Sequence, residues 1–388
     1  MKILITSSVD PMKSPHSRLH EFLRYLSKKH EITVLSINDW WRLEQTDTNL
    51  YNKDFRDILK EINILYLTNK KISPILQEIF SINSPNKLDG KFDVHLNYAS
   101  FICGYSIAKK KCIPTVYDIA DDWVEMTKNS PQIPSIFRPV GAHLLKTMVQ
   151  KNITRSIRIT YTTELLKNLY KIPNEKSILI PNGVDMNLFK NYPSNEYRKK
   201  INIPYQDFVI GYVGALREWV GLEPVFAAVK RLSRNYRNLK LLIVGEEGGL
   251  KKKEELARRY GISDKVIFTG TIPYEQVPRY ISCMDVCLIP FKLNAVSESS
   301  LPLKLFEYMA CEKTVISTKI AGVVDAVQDR VLYASAEEEY RDKIAELYKD
   351  EELRIKLGVE GRNYVKENYE WSKLALKLEN VLEEVRNR

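Results

Sequence analysis

FKLNAVSESSLPLKLFEYMACEKTVISTKI, residues 291–320, decides how the chain is read. It continues a buried strand carried by Val286, Leu288 and Ile289 and runs into a second carried by Thr314, Val315 and Ile316. A loop and a short helix lie between them. Pro302 suits the first helical turn, where its missing N–H removes no hydrogen bond. Ser299 and Ser300 stand just before it as N-cap candidates. Residues three and four apart share a helix face, so Ser300, Lys304 and Glu307 form a polar stripe, with Leu305, Phe306 and Met309 on the buried side. A helix N-terminus that follows a strand and holds a lysine in its first turns is an anion site. A carboxylate one turn further in accepts hydrogen bonds from two vicinal hydroxyls. Phosphate beside ribose describes a nucleotide. The same residues also read as the solvated side of an ordinary amphipathic helix.

Outward from this stretch, apolar runs alternate with amphipathic ones. The runs predict strands at Ile3–Ile5, Ile32–Leu35, Ile64–Leu67, Val94–Leu96, Thr115–Ile119 and Ile157–Tyr161. A second series falls at Val209–Val213, Leu239–Val244, Val266–Phe268, Val286–Ile289, Val315–Ser317 and Val331–Tyr333. Helical patterns such as Arg18–Lys29 and Phe101–Lys111 separate them. Strands alternating with helices make parallel sheets covered on both faces. Two such series in 388 residues predict an α/β protein of two doubly wound domains, residues 1–172 and 173–370, because one ordinary core does not grow to that size. The boundary is expected between Tyr170 and Lys176, where KIPNEK interrupts the pattern.

Hydrophobic content of 44% and charged content of 28% are globular values. No apolar run approaches the ~20 residues of a membrane span. MKILITSSVD turns polar too soon for a signal-peptide core and reads as a first strand, so a cytoplasmic location is expected. Five scattered cysteines, Cys103, Cys112, Cys283, Cys287 and Cys311, read as buried free thiols. A net charge of +10 asks for an acidic partner. No helix-turn-helix, zinc or RNA-recognition signature supports nucleic acid. The charge concentrates between Glu125 and Glu164, where no acidic residue occurs and Lys128, Arg138, Lys146, Lys151, Arg155 and Arg158 fall. Phe137, Val140, Leu144, Leu145 and Met148 recur there at helical spacing. Such a basic amphipathic helix, with Arg138, Lys146, Lys151 and Arg155 as its contacts, fits an anionic membrane surface. A domain-packing helix with a solvated basic face is the other reading.

The run LPLKLFEYMA resembles the donor-site segment of the retaining glycosyltransferases of family 4, within glycosyl transferases group 1. In that family a Glu-x7-Glu motif ends in such a helix, and its second Glu, matched by Glu307, holds the nucleotide ribose. The first Glu falls at Ser299 here, with Glu298 one residue early. Pro302 and Lys304 look like the branch that carries proline and lysine in this loop. ILIPNGVDMNLF (178–189) matches the family's PNGVD segment, in which Asn182 is suited to bond the backbone of a neighbouring loop. GYVGALREWVGL (211–222) matches its glycine loop, where Gly214 lets a ligand approach the backbone. The family's usual Arg and Lys positions are Ala215 and Val220 here, so Arg217 and Lys304 are expected to share the diphosphate. LLIVGEEGGL with Gly245 and VIFTGTIPYEQ with Gly270 complete the order, the base meeting backbone near Thr271 and Ile272. By this resemblance the donor site comprises Gly214, Asn182, Gly245, Ile272, Glu298, Ser299, Ser300, Leu301, Leu303 and Glu307.

The first domain resembles the family by pattern. Ser14 and Pro15, followed by His16 and Arg18, occupy the place of the glycine pair that faces the donor phosphates. PTVYDIADDW (114–123) resembles the fourth-strand motif, with Ala120 where a His is frequent, and Asp118 or Asp121 as an acceptor-activating carboxylate. Capping and turn formation are the other reading of these acids. The resemblance implies the GT-B fold: two Rossmann-like domains facing a central cleft, with helix 371–388 packing back on the first. It implies a retaining glycosyltransferase that moves a sugar from a nucleotide-diphosphate sugar to a hydroxyl acceptor in glycolipid, polysaccharide or glycan biosynthesis. No cofactor and no metal are expected, since no Asp-x-Asp motif stands at the donor site. The acceptor is expected to be lipid-linked, with the enzyme peripheral on the inner face of the cell membrane. Two rival readings are a non-catalytic GT-B subunit that stabilises a partner transferase, suggested by Ser299, Ala120 and Ser14-Pro15, and a sugar-nucleotide epimerase of the same fold.

Overall fold

The structure, a computed structural model, describes residues 1–40, 53–82, 88, 90–130, 133–246 and 250–388. It divides into two compact units, Met1–Pro181 with Trp371–Arg388, and Asn182–Glu370. In the first, strands β1 (Lys2–Ser7), β2 (Glu31–Ser36), β3 (Asn63–Tyr66), β4 (Val94–Tyr98), β5 (Thr115–Ile119), β6 (Arg158–Tyr161) and β7 (Ser177–Leu179) form a parallel sheet in the order β3-β2-β1-β4-β5-β6-β7. In the second, β8 (Phe208–Val213), β9 (Leu239–Val244), β10 (Val266–Phe268), β11 (Val286–Ile289), β12 (Thr314–Ser317) and β13 (Leu332–Tyr333) form another in the order β10-β9-β8-β11-β12-β13. Near-continuous burial of β1, β4, β5, β8, β9 and β11 follows from helices on both faces, so these strands read as apolar runs rather than alternations.

The break between the units falls after Pro181, not between Tyr170 and Lys176. The reason is β7, which pairs in parallel with β6 through Ile159–Ser177, Thr160–Ile178 and Tyr161–Leu179 and holds KIPNEK inside the first unit. A three-residue edge strand with one face in water carries too little periodicity to be seen in sequence. Helix Trp371–Arg386 belongs to the first unit. Its residues Trp371, Leu374, Ala375, Leu378, Val381, Leu382 and Val385, spaced by three and four, are buried. Trp371 meets Phe22 edge-on at 5.8 Å. The same helix is tied at its surface by Arg158, which grips Glu384 with two nitrogens at 2.6 and 3.2 Å. Four cysteine thiols are buried, whereas Cys112 is exposed at the end of helix Ile102–Lys110, where the turn back into β5 leaves it in solvent.

Candidate functional site

In a parallel sheet, ligands are received outside the carboxyl ends of the strands, where neighbouring strands send their chains in opposite directions. In the second unit that point is β8 beside β11. The loops leaving them are stitched together. Val220 and Phe291 form an antiparallel bridge, the Gly221 N–H donates to Pro290 O at 2.7 Å, and the Lys292 N–H donates to Trp219 O at 2.8 Å. Helix Leu303–Ala310 opens beside this seam with Pro302, φ −70° and ψ 132°, at its N-cap and no side chain capping it. Pro302 leaves the helix's first N–H groups without a side-chain cap, and the helix dipole favours an anion there. Ser299 and Ser300 are not its caps. They close the preceding short helix Ala295–Glu298, Ser299 Oγ donating to Ala295 O and Val296 O and Ser300 Oγ to Ser297 O, because that helix ends at Ser299 before Pro302 restarts the chain. Glu298, one residue early, accepts the Ala321 N–H at 2.9 Å and is spent on the next helix.

Lys304 is the centre of the arrangement. Its ammonium donates to the Tyr212 hydroxyl at 3.0 Å and stands over the Tyr212 and Phe291 rings, 4.5 and 5.4 Å from their centroids. Tyr212 in turn donates to Ala215 O at 2.8 Å, so one hydroxyl joins the lysine to the glycine loop. At Gly214, φ +130°, an added Cβ would lie 2.6 Å from Lys304 Nζ; at Gly245, φ +117°, it would lie 2.5 Å from Gly214 O. The two glycines let the turns after β8 and β9 close on each other and on the lysine. Arg217 is exposed in the same loop. One turn beyond Lys304, buried Glu307 accepts the Tyr274 hydroxyl at 2.9 Å. Asn182 Nδ2 donates to Leu301 O at 2.6 Å, holding the approach to the helix from the side, as its sequence position leads one to expect. Leu301 is buried, Leu303 and Ile272 half-buried, and 247–249, which include the last two glycines of GEEGGL, lie outside the described residues.

The first unit uses the equivalent place differently. There the reversal lies between β1 and β4, and the N-terminus of helix Ile102–Lys110 is filled by the chain's own Glu78. Its carboxylate accepts the Ile102 and Cys103 N–H groups, both at 3.0 Å, and the Ser8 and Ser100 hydroxyls at 3.0 and 2.9 Å. The segment Ser14, Pro15, His16 and Arg18 does not form an open phosphate loop. Ser14 Oγ donates to Asp10 O at 2.6 Å, His16 Nε2 lies 2.9 Å from Glu21, and Arg18 is buried, paired with Asp118 at 2.8 Å and donating to Ile180 O at 2.9 Å. This also corrects Asp118: it is fully buried, and its Oδ1 takes both Arg18 and the Thr160 hydroxyl, so it anchors β5 rather than meeting an acceptor. Asp121 is different. It is half-buried beyond the end of β5, and burial pushes its carboxyl up to about 6, Arg18 opposing the shift and Asp118 and Asp122 adding to it. Asp122 caps helix Trp123–Lys128, as the capping reading supposes.

On helix Arg138–Arg155 the four basic candidates separate. Arg138 and Lys146 line a cavity. The Lys151 ammonium stands 6.0 Å over the Tyr105 ring, and Arg155 donates twice to Ala108 O, at 3.2 and 3.1 Å. No helix among the described residues is long and apolar enough to cross a membrane, and no group of three or more His, Cys, Asp or Glu among them is placed to hold a metal ion.

Residues 193–364 match the family described as Glycosyl transferases group 1. The chain carries a group 1 glycosyltransferase domain. A GDP-mannose-dependent alpha-(1-6)-phosphatidylinositol monomannoside mannosyltransferase of Mycobacterium tuberculosis is 26% identical over 211 residues, 52% of this chain and 54% of that protein. The chain spans about half the length of the curated relatives it matches. Sucrose-phosphate synthase from Thermosynechococcus elongatus aligns over 99% of this chain and 98% of its own, with a TM-score of 0.78 at 18% identity. HepE of Anabaena, in complex with UDP and glucose, aligns over 99% of both chains with a TM-score of 0.74 at 16% identity. The fold is GT-B, two Rossmann-like parallel sheets with their helices. Within the glycosyltransferase domain, Tyr212, Phe291 and Tyr274 escape a sequence reading. Tyr212 and Phe291 sit in apolar runs that read as core, and only Tyr274, in the polar turn IPYEQ, carries a signal that it faces something other than the core.

Proposed function

We propose that the protein is a retaining, metal-independent glycosyltransferase that takes its sugar from a nucleoside-diphosphate sugar. The observation that carries this is the uncapped N-terminus of helix Leu303–Ala310, with Lys304 in its first turn and Glu307 one turn on. The helix end, Lys304 and Arg217 take the charge that builds on the diphosphate as its bond to the sugar breaks. Glu307 exchanges its bond from Tyr274 for the ribose hydroxyls and fixes the nucleotide in place. On the first unit the acceptor is met by Asp121, the one of the two candidate carboxylates not paired with Arg18. The relatives support a nucleotide-sugar donor: HepE is solved with UDP and glucose, and the mycobacterial mannosyltransferase is named for GDP-mannose. The acceptor is a membrane lipid or lipid-linked sugar met by a peripheral enzyme on the inner face of the membrane, a reading supported by the acid-free basic helix and by the phosphatidylinositol monomannoside of that relative's name.

A thermal-shift screen against UDP-, GDP- and ADP-sugars tests the donor, since a ligand at one hundred times its Kd raises stability by about 2.7 kcal/mol. Turnover of the stabilising donor in EDTA, with the product anomer matching the donor's by NMR, is the expected result. An inverted product, or activity only with added divalent metal, overturns the mechanism. One observation favours a second reading. Ser299 is buried and bonded to helix carbonyls, and Glu298 is spent on Ala321, so this loop offers the donor sugar no carboxylate. A non-catalytic GT-B subunit follows if donor binds and no acceptor is glycosylated; conversion of donor without any acceptor identifies an epimerase.

A further inference from the structure

A cavity of about 600 Å³ opens on the first unit between helices Trp123–Lys128, Arg138–Arg155 and the end of Glu164–Leu169. Its charged lining is Asp122, Glu125, Lys128, Arg138, His143 and Lys146. The acids are engaged. Asp122 accepts the Glu125 N–H at 3.0 Å and the Tyr170 hydroxyl at 2.7 Å, and Glu125 pairs with Lys128 at 2.7 Å. With Lys128 set against Glu125, Arg138 and Lys146 outweigh Asp122 by one positive charge, and Arg138 Nε also donates to Ile133 O at 2.8 Å. Arg138 and Lys146 stand two turns apart on one helix face, with Ala142 between them on the cavity wall. The adjoining face of the same helix runs into water. Phe137, Val140 and Leu144, spaced by three and four, are 62, 59 and 60% exposed, and Ile136 beside them is 77% exposed. Four large apolar side chains turned outward together mark a contact surface. The acids of the lining are Asp122 and Glu125, and no further one occurs from Met126 to Thr163.

We propose that this cavity receives the phosphodiester headgroup of an anionic phospholipid, with Phe137, Val140 and Leu144 lying against its acyl chains. The inference rests on the membrane reading above and narrows it to one place and two of the four basic residues. Charge complementarity selects the headgroup, since a phosphodiester carries its negative charge at every working pH and meets a guanidinium and an ammonium. The exposed apolar face selects the lipid over a soluble anion, which gains nothing from Phe137 or Leu144. Lys151 and Arg155 are left out because they do not line the cavity; they meet the Tyr105 ring and the Ala108 carbonyl instead.

The full chain is sedimented with vesicles of phosphatidylcholine and phosphatidylglycerol at low salt. A basic residue at such a surface contributes about 1 kcal/mol, roughly a five-fold change in partitioning. Lys146→Gln should lose about five-fold and Arg138→Gln with Lys146→Gln about twenty-five-fold, whereas Lys151→Gln, an equal charge change on the same helix, should stay within two-fold of wild type. Dihexanoylphosphatidylglycerol should compete the chain off the vesicles, and inorganic phosphate at the same concentration should not. Donor-induced thermal shift, read on every variant, reports that the fold is intact. Equal losses for Lys146→Gln and Lys151→Gln overturn the pocket and leave a diffuse electrostatic membrane contact. Competition by inorganic phosphate overturns the lipid as the ligand. A wild-type chain that stays in the supernatant overturns the membrane reading and the pocket with it.

Discussion

Tyr212→Phe removes a single oxygen and separates two jobs that the tyrosine does for Lys304. The ring face under the ammonium, 4.5 Å away, survives the change, and with it a cation–π attraction of about 0.5–2 kcal/mol. The hydroxyl that accepts from Lys304 at 3.0 Å and donates to Ala215 O at 2.8 Å is lost. A hydrogen bond to a charged group is worth about 1.5–3 kcal/mol, and because Lys304 is half-buried, water recovers part of it. The expected coupling is about 1–2 kcal/mol, a fall in kcat of roughly 5- to 30-fold, with the donor KM nearly unchanged because charge on the leaving group peaks in the transition state. The assay is initial rate with the donor found by thermal shift, measured on Tyr212→Phe, Lys304→Ala and the double variant. If Tyr212 acts through Lys304, its substitution should cost little once the lysine is gone. The same loss in both backgrounds would refute the relay and leave Tyr212 a packing residue whose missing hydroxyl orphans Ala215 O.

Glu307→Gln keeps an oxygen for the Tyr274 hydroxyl and removes the charge, so nucleotide affinity should fall by about 1.5–3 kcal/mol with the melting temperature held. A 2′,3′-dideoxy analogue of the stabilising nucleotide should bind wild type and variant alike; an analogue that still separates them by calorimetry moves the ribose contact elsewhere. Gly245→Ala forces φ +117° on an alanine whose Cβ would lie 2.5 Å from Gly214 O, and strain of this kind costs about 1–3 kcal/mol before the clash is counted, which a lowered urea midpoint should report. Stability should also fall in acid. Burial lowers His20 and His95 from 6.5 to about 3, so the unfolded chain binds their protons first, and their contribution is whole above about pH 6.5 and lost as pH drops toward 3. Each costs about 1.4 kcal/mol per pH unit in that window. Asp121, raised from 3.8 to about 6, works in the opposite sense as pH falls through that range, leaving a net slope of roughly one proton. Urea unfolding at a series of pH values checks this, and a flat or reversed slope contradicts the burial of the two imidazoles.

Much of the second unit is legible because its chemistry is local. The strand runs Val286–Ile289 and Thr314–Ser317, the buried face of Leu305, Phe306 and Met309, and the lysine and glutamate one turn apart all follow from spacing along one helix and two buried strands. The bond from Asn182 to Leu301 is legible as a kind of contact, though its partner, 119 residues away, is not. The first unit is less legible because its polar residues are consumed by distant ones. Arg18 and Asp118 read as a phosphate contact and a catalytic acid until the sheet brings them together across 100 residues of chain. Glu78, an unremarked acid in sequence, fills the helix end that an anion would otherwise take.

The amino-acid sequence by itself determines the two parallel sheets, the order of their strands along the chain and the glycine, lysine and glutamate positions of the donor segment. Those depend on periodicity and on backbone freedom at single residues, which are properties of short stretches. Tertiary structure alone decides which polar groups remain open to a ligand. Lys304 is held at an uncapped helix end by a tyrosine from another strand, while Arg18, Ser14 and Asp118 are closed off by partners no local pattern names. A buried charge must find its counter-charge, and where that partner lies is settled only when the chain has folded.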